Sequence, residues 1–105
     1  MFSIAYVMTL RPGKYDGYKN AHDNIWPEIA RSMRNNNVSI SIYRFENLLF
    51  LHAAAPTESD WQKSRNDPAL ANWANYMLEF LKTDGTGGAV FQELPETFAF
   101  GLFES

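Results

Sequence analysis

Apolar and polar positions alternate from the start of the chain. Phe2, Ile4, Tyr6, Met8 and Leu10 fall on one side of an extended backbone, and Ser3, Ala5, Val7 and Thr9 fall on the other. A period of two predicts a strand, which Arg11-Pro12-Gly13 then ends. From Lys14 to Met33 the pattern predicts a helix, bent or restarted at Pro27, because proline lacks an N–H and its ring clashes with the preceding turn. Asn35-Asn36-Asn37 reads as the helix end, since asparagine tolerates left-handed backbone. Val38 to Arg44 and Leu48 to Ala55 predict a hairpin turning at Phe45-Glu46-Asn47. Thr57, followed by Glu58, Ser59 and Asp60, marks a helix start and a short helix over Ser59 to Ser64. Asp67-Pro68 marks a second start, with Asp as cap and Pro at the first helical position, for a helix running to Lys82. Asp84-Gly85-Thr86-Gly87-Gly88 is a loop, with a short extra strand over Ala89 to Gln92. Thr97 to Phe103 is expected as the last strand.

The order β-α-β-β-α-β belongs to a ferredoxin-like α+β domain, an antiparallel sheet with helices on one face. Several strands are apolar on both sides: Leu49 and Leu51 against Leu48 and Phe50, and Phe98, Phe100 and Leu102 against Ala99, Gly101 and Phe103. An apolar second face needs a cover. We therefore expect a homodimer with sheets packed face to face, a monomer with more enveloping helices being the alternative.

Composition narrows the function. The 105 residues make one domain, residues 1–105. A formal charge of −3 without a basic cluster argues against nucleic acid. With no cysteine, disulfides, thiol nucleophiles and thiolate metal sites are excluded. Neither an export signal nor a membrane span is apparent, so a cytoplasmic protein without membrane partners is expected. The aromatic share of 15% is the outlier, and it fits both a small core and a binding surface.

His22 leads the candidates for chemistry, because imidazole titrates near neutrality. Four apart on a helix, Tyr18, His22 and Trp26 are expected to form one stripe, with Ile25 and Ile29 beside it. Such a stripe is suited to lining a small polar pocket. The plain alternative is a helix histidine satisfied by backbone. Trp73 and Tyr76 share a face of the last helix and carry polar handles suited to a pocket edge, whereas Met77 and Phe80 read as core. Asp23, Asn24, Glu28 and Arg44 are polar neighbours that could complete a site. His52, on a strand face with Leu48 and Phe50, reads as structural. No His-x-His or Glu-x-x-His spacing supports a metal, and there is no nucleophile elbow. The glycine-rich loop follows a helix instead of opening one, which argues against a phosphate cradle. Proton transfer, or binding alone, on a small neutral ligand remains.

Three strings then carry a resemblance: His22-x-x-Ile25-Trp26-Pro27-Glu28, Asn47-Leu48-Leu49-Phe50 and Trp73-x-x-Tyr76-Met77. With chain length and element order, they resemble the L-rhamnose mutarotase family. The resemblance implies a dimeric α+β barrel that interconverts the α and β anomers of L-rhamnose or a related 6-deoxy sugar without a cofactor. It implies His22 as the proton donor, Tyr18 as a sugar contact and Trp73 as a pocket wall. Trp26, Tyr76 and Tyr43 join the expected substrate-binding set. Two positions depart from the pattern, Ala74 where a second tryptophan is expected and Ile40 where a strand tyrosine is expected. A cofactor-free monooxygenase, a haem-binding protein or a non-catalytic sugar-binding module on the same barrel are the rival readings.

Overall fold

The computed structural model describes residues 1–104. A four-stranded antiparallel sheet has the order β2-β3-β1-β4, and four α-helices pack on it. The strands are β1 (Phe2–Thr9), β2 (Ser39–Phe45), β3 (Leu48–Ala55) and β4 (Phe91–Glu93); the helices are α1 (Tyr15–Asp23), α2 (Pro27–Asn35), α3 (Glu58–Arg65) and α4 (Pro68–Met77).

Register assigns each side chain to a face, because directly paired residues share one. Met8 pairs with Leu49, Tyr6 with Leu51 and Ile4 with Ala53, while Ile42 and Ile40 pair with Leu51 and Ala53. This is the face the helices cover. It carries two buried clusters, one built around Met8, Leu49, Ile29, Trp73 and Phe80 and the other around Ala53, Ala55 and Trp61, with Leu51 packed against both.

Local chemistry sets the ends. Thr57 caps α3 in a reciprocal box with Asp60. The Asp67 carboxylate accepts from the Ala69 N–H at 2.9 Å, with Pro68 opening α4. Asn37 takes left-handed backbone (φ 55°) after α2. The β2–β3 hairpin closes through Glu46 and Asn47, and Glu46 is itself left-handed (φ 54°). Ser32 of α2 and Ser64 of α3 are buried and joined hydroxyl to hydroxyl at 3.1 Å.

Of the two outcomes expected at Pro27, the restart holds: the residue before a proline is driven out of the helical region, so Trp26 is extended at φ −60°, ψ 136°, and α2 begins afresh at Pro27. Two expectations are corrected. The last helix ends at Met77, short of Lys82, in turns that deliver Leu81 to a bridge with Leu10. The final strand is Phe91–Glu93, and Thr97 to Phe103 forms none. The Leu94 N–H still reaches the Ala5 carbonyl at 2.9 Å, but Pro95 has no N–H to continue the ladder. Beyond it the chain ends in a 3-10 turn over Gly101–Phe103.

Candidate active site

A cavity of about 450 Å³ lies in the gap between the two buried clusters. That is within the range of roughly 300–1,000 Å³ typical of small-molecule sites. Tyr18 and His22 reach it from α1, Ile29 and Met33 from α2, and Ile40, Ile42, Leu49 and Leu51 from the sheet. Trp61, Ser64 and Arg65 of α3 and Leu70 and Trp73 of α4 close it. A second chamber of about 220 Å³ continues past Trp73 and Ala74 towards Phe91. Tyr18, His22, Leu51, Arg65, Leu70 and Trp73 line both.

His22 sits in the last turn of α1, where its Nδ1 lies 2.8 Å from the Tyr18 carbonyl oxygen. A carbonyl only accepts, so Nδ1 carries the proton and Nε2 presents a lone pair. The imidazole lies tilted against the Tyr18 ring (centroids 4.2 Å, 34°) and meets Trp73 edge-on at 5.3 Å. Burial lowers the His22 pKa from its ordinary value, against smaller opposing effects of the Tyr18 carbonyl and Asp23. At neutral pH the imidazole is uncharged. Tyr18 is 5% exposed, and burial drives its phenol pKa well above the ordinary value. It is therefore a hydrogen-bond donor that keeps its proton.

Trp26 does not extend the Tyr18–His22 stripe, because the helix is broken before it. It returns to the cluster another way, stacked on Tyr76 (5.6 Å, 5°) and edge-on to Trp73 (5.1 Å). Trp26 and Tyr76 lie outside the lining of both chambers and brace Trp73, which Tyr76 also meets at 5.7 Å. Tyr43 borders the larger chamber on β2, but it pairs with Phe50 and is 68% exposed. Its ring thus belongs to the uncovered sheet face. Ile40 and Ala74, the two departures, each line a chamber.

Of the polar neighbours, Asp23 and Arg44 line the larger chamber, and Asn24 and Glu28 line neither. Arg44 is already engaged: its Cζ lies 4.0 Å over the Tyr15 ring and its Nε donates to the Glu46 carbonyl at 2.7 Å. His52 is on the uncovered face, 5.0 Å from the Phe103 ring. Sequence reasoning missed Arg65. Its signal was the i, i+4 pairing with Trp61, which sends both side chains to one face of α3.

Comparison with known proteins identifies the family and the fold. Residues 3–100 match the family model of L-rhamnose mutarotase. The L-rhamnose mutarotase of Oceanobacillus iheyensis is 29% identical over 89% of this chain and 92% of its own. That of Escherichia coli O8 is 28% identical over 93% and 97%. The crystal structure of L-rhamnose mutarotase FA22100 from Formosa agariphila superposes with a TM-score of 0.79 at 26% identity, covering 96% of this chain and all of that one. A candidate antibiotic biosynthesis monooxygenase from Nitrosomonas europaea, at TM-score 0.65 and 12% identity over 93% of this chain and all of its own, shares the fold alone. The chain belongs to the L-rhamnose mutarotase family.

Proposed function

We propose that this protein is an isomerase that interconverts the α and β anomers of L-rhamnose or a related 6-deoxy sugar, with His22 as its acid/base. The observation that carries the reading is the tether from His22 Nδ1 to the Tyr18 carbonyl, which turns the Nε2 lone pair to the work of the cavity. Family membership supports it.

Anomerisation breaks the C1–O5 bond as the O1 hydroxyl loses its proton and O5 gains one. The open aldehyde then turns about its C1–C2 bond and recloses on the other face. Both oxygens are bonded to C1, so one Nε2 can serve both, taking the O1 proton and returning it to O5. The neutral imidazole is the form that starts this cycle. Tyr18, holding its proton, donates a hydrogen bond to the sugar, and Trp73 offers an apolar wall steadied by Trp26 and Tyr76. A placed acid/base contributes about 10²–10⁴-fold, enough to matter for a reaction that already proceeds in water.

The same reading includes a cytoplasmic homodimer joined through sheet faces. Tyr43 and Phe45 are 68% and 64% exposed, and Phe98, Phe100 and Leu102 on the tail are 81%, 74% and 75% exposed. An apolar surface of this kind is suited to a second copy. The location rests on family membership together with the fact that, among the described residues, no helix is long and apolar enough to cross a membrane.

Saturation-transfer proton NMR at anomeric equilibrium, with L-rhamnose, L-fucose and D-glucose, tests the activity. Exchange between the anomeric protons above the buffer rate is expected with at least one of these sugars. Exchange at the buffer rate with all three removes the mutarotase reading.

A further inference from the structure

Ser32 of α2 and Ser64 of α3 are both buried, and the anomerisation chemistry uses neither. Ser64, only 2% exposed, also lines the larger chamber with Trp61 and Arg65 on the wall that α3 supplies, and it is the one aliphatic hydroxyl there. A serine inside a helix ordinarily gives its proton to the carbonyl one turn earlier. Neither serine does so. Ser32 Oγ instead lies 3.1 Å from the Ser64 carbonyl oxygen and 3.1 Å from Ser64 Oγ, and Ser64 Oγ has no other partner among the described residues.

A hydroxyl has one proton and two lone pairs, and this pairing leaves part of Ser64 unused. If Ser32 donates to the Ser64 carbonyl, the Ser64 proton makes the hydroxyl–hydroxyl bond and both Ser64 lone pairs stay open. If Ser32 donates to Ser64 Oγ, the Ser64 proton and one lone pair stay open. Unused capacity on a buried hydroxyl is costly in apolar surroundings, and Trp61, Leu70 and Trp73 supply much of the same cavity wall. Alanine would let α2 and α3 approach as closely without that cost. A ligand hydroxyl answers either arrangement, donating to the first and accepting from the second. A carbonyl or a carboxylate answers only the second, and a hydrocarbon answers neither.

We propose that Ser64 is a sugar contact that holds a ring hydroxyl other than the anomeric one, and that Ser32 is its positioning residue. This role rests on the mutarotase reading and supplies its selectivity among neutral 6-deoxy sugars. His22 reaches the cavity from α1 and Ser64 from α3, so a ring whose anomeric end meets His22 offers a different hydroxyl to Ser64. Sugars that differ in the orientation of that hydroxyl are told apart there. Ser32 fixes the Ser64 rotamer from outside the cavity and touches no sugar.

The test uses the full chain with L-rhamnose and L-fucose, each beside its analogues lacking the 2-, 3- or 4-hydroxyl. Anomer exchange reads turnover, and quenching of tryptophan fluorescence reads binding, since Trp61 and Trp73 both line the cavity. For the better of the two sugars, S64A should raise KM and Kd about 3- to 10-fold. It should leave kcat within about twofold, because the contact is made equally in the ground and transition states. One analogue should bind S64A and wild type equally, which identifies the hydroxyl held. S32A should raise KM less than S64A does, and S32A/S64A should be no worse than S64A alone. S64C keeps the volume and bonds weakly, so it should repeat the KM effect even where S64A fails to fold. Wild-type KM and Kd in S64A or S64C, whatever their urea stability, would reduce the pair to helix packing and overturn the contact. So would an S64A effect of equal size on the parent sugar and all of its analogues. Ser64-dependent binding without exchange would keep the contact and remove the mutarotase reading, whereas exchange indifferent to S64A would do the reverse. Neither binding nor exchange with either sugar would remove both.

Discussion

The two faces of the sheet, formed by the same strands, have opposite fates. Leu49 and Phe50 are neighbours on β3, yet Leu49 is 1% exposed beneath the helices while Phe50 pairs with Val7 and Tyr43 on the uncovered face. The polarity of these β3 residues does not distinguish them, since Leu48 and Phe50 are as apolar as Leu49 and Leu51. The covered face gains a function because its helices stop short of filling it, leaving a gap between two clusters that His22 and Arg65 enter. The uncovered face presents Tyr43, Phe45 and Phe50, and its one histidine among the described residues, His52, lies 5.0 Å from the Phe103 ring. In the proposed reading, chemistry follows from incomplete packing and association from uncovered packing.

The contrast can be broken at several points. The largest effect is expected at His22, where H22A should slow anomer exchange by about 10²–10⁴-fold while circular dichroism stays native. Retained exchange would remove His22 from the mechanism. L49A should cost about 2–5 kcal/mol in urea unfolding, because Leu49 is fully enclosed. F50S, one residue along, should instead lower the light-scattering mass from twice 12.0 kDa towards 12.0 kDa. If both variants acted on the same property, the two-face distinction would fail.

Gly17 sharpens the covered side. A Cβ there would meet Phe80 Cε1 at 2.7 Å, and Phe80 is itself 8% exposed against Tyr18. G17A should therefore cost about 1–3 kcal/mol by overpacking, although alanine is the better helix former. A stability gain would mean that Phe80 yields freely. The smallest effect concerns pH. The lowered pKa of His22 should put the acid limb of kcat/KM below the ordinary histidine value of about 6.5. The unfolded chain binds that proton more readily, so this group's contribution to stability declines as pH falls through 6.5 towards the folded value. Replacing His22 should flatten that part of the pH–stability profile.

Much of this was legible from side-chain chemistry that acts locally. Leu48 to Ala55, the Thr57 box and the Asp67-Pro68 start appear where pattern and capping put them, because each depends on neighbours within four residues. The fold class followed from element order, and His22, Tyr18 and Trp73 meet at one cavity. What was not legible depended on longer-range geometry. The helical stripe through Trp26 fails because Pro27 dictates the backbone of the residue before it. Thr97 to Phe103 has the alternation of a strand, but Pro95 takes the chain off the ladder first. Tyr43 follows strict strand alternation away from Ile42 and Arg44, which a nearness argument overlooked. Arg65 reads as an ordinary surface charge until the fold brings it to the border of both chambers.

The register of β1 has a consequence for how the chain acquires its shape. β1 precedes every other element, yet its partners are Leu48–Ala55 and Phe91–Glu93. The β2–β3 hairpin can close through its two-residue turn as soon as it exists, whereas β1 must wait for β3 to be made. During synthesis the apolar run from Phe2 to Leu10 is therefore unpaired for roughly half the chain's length, at the stage when misassociation is easiest. Variants that weaken the hairpin turn at Glu46 and Asn47 should prolong that interval, lowering soluble yield more than they lower the stability of the finished protein.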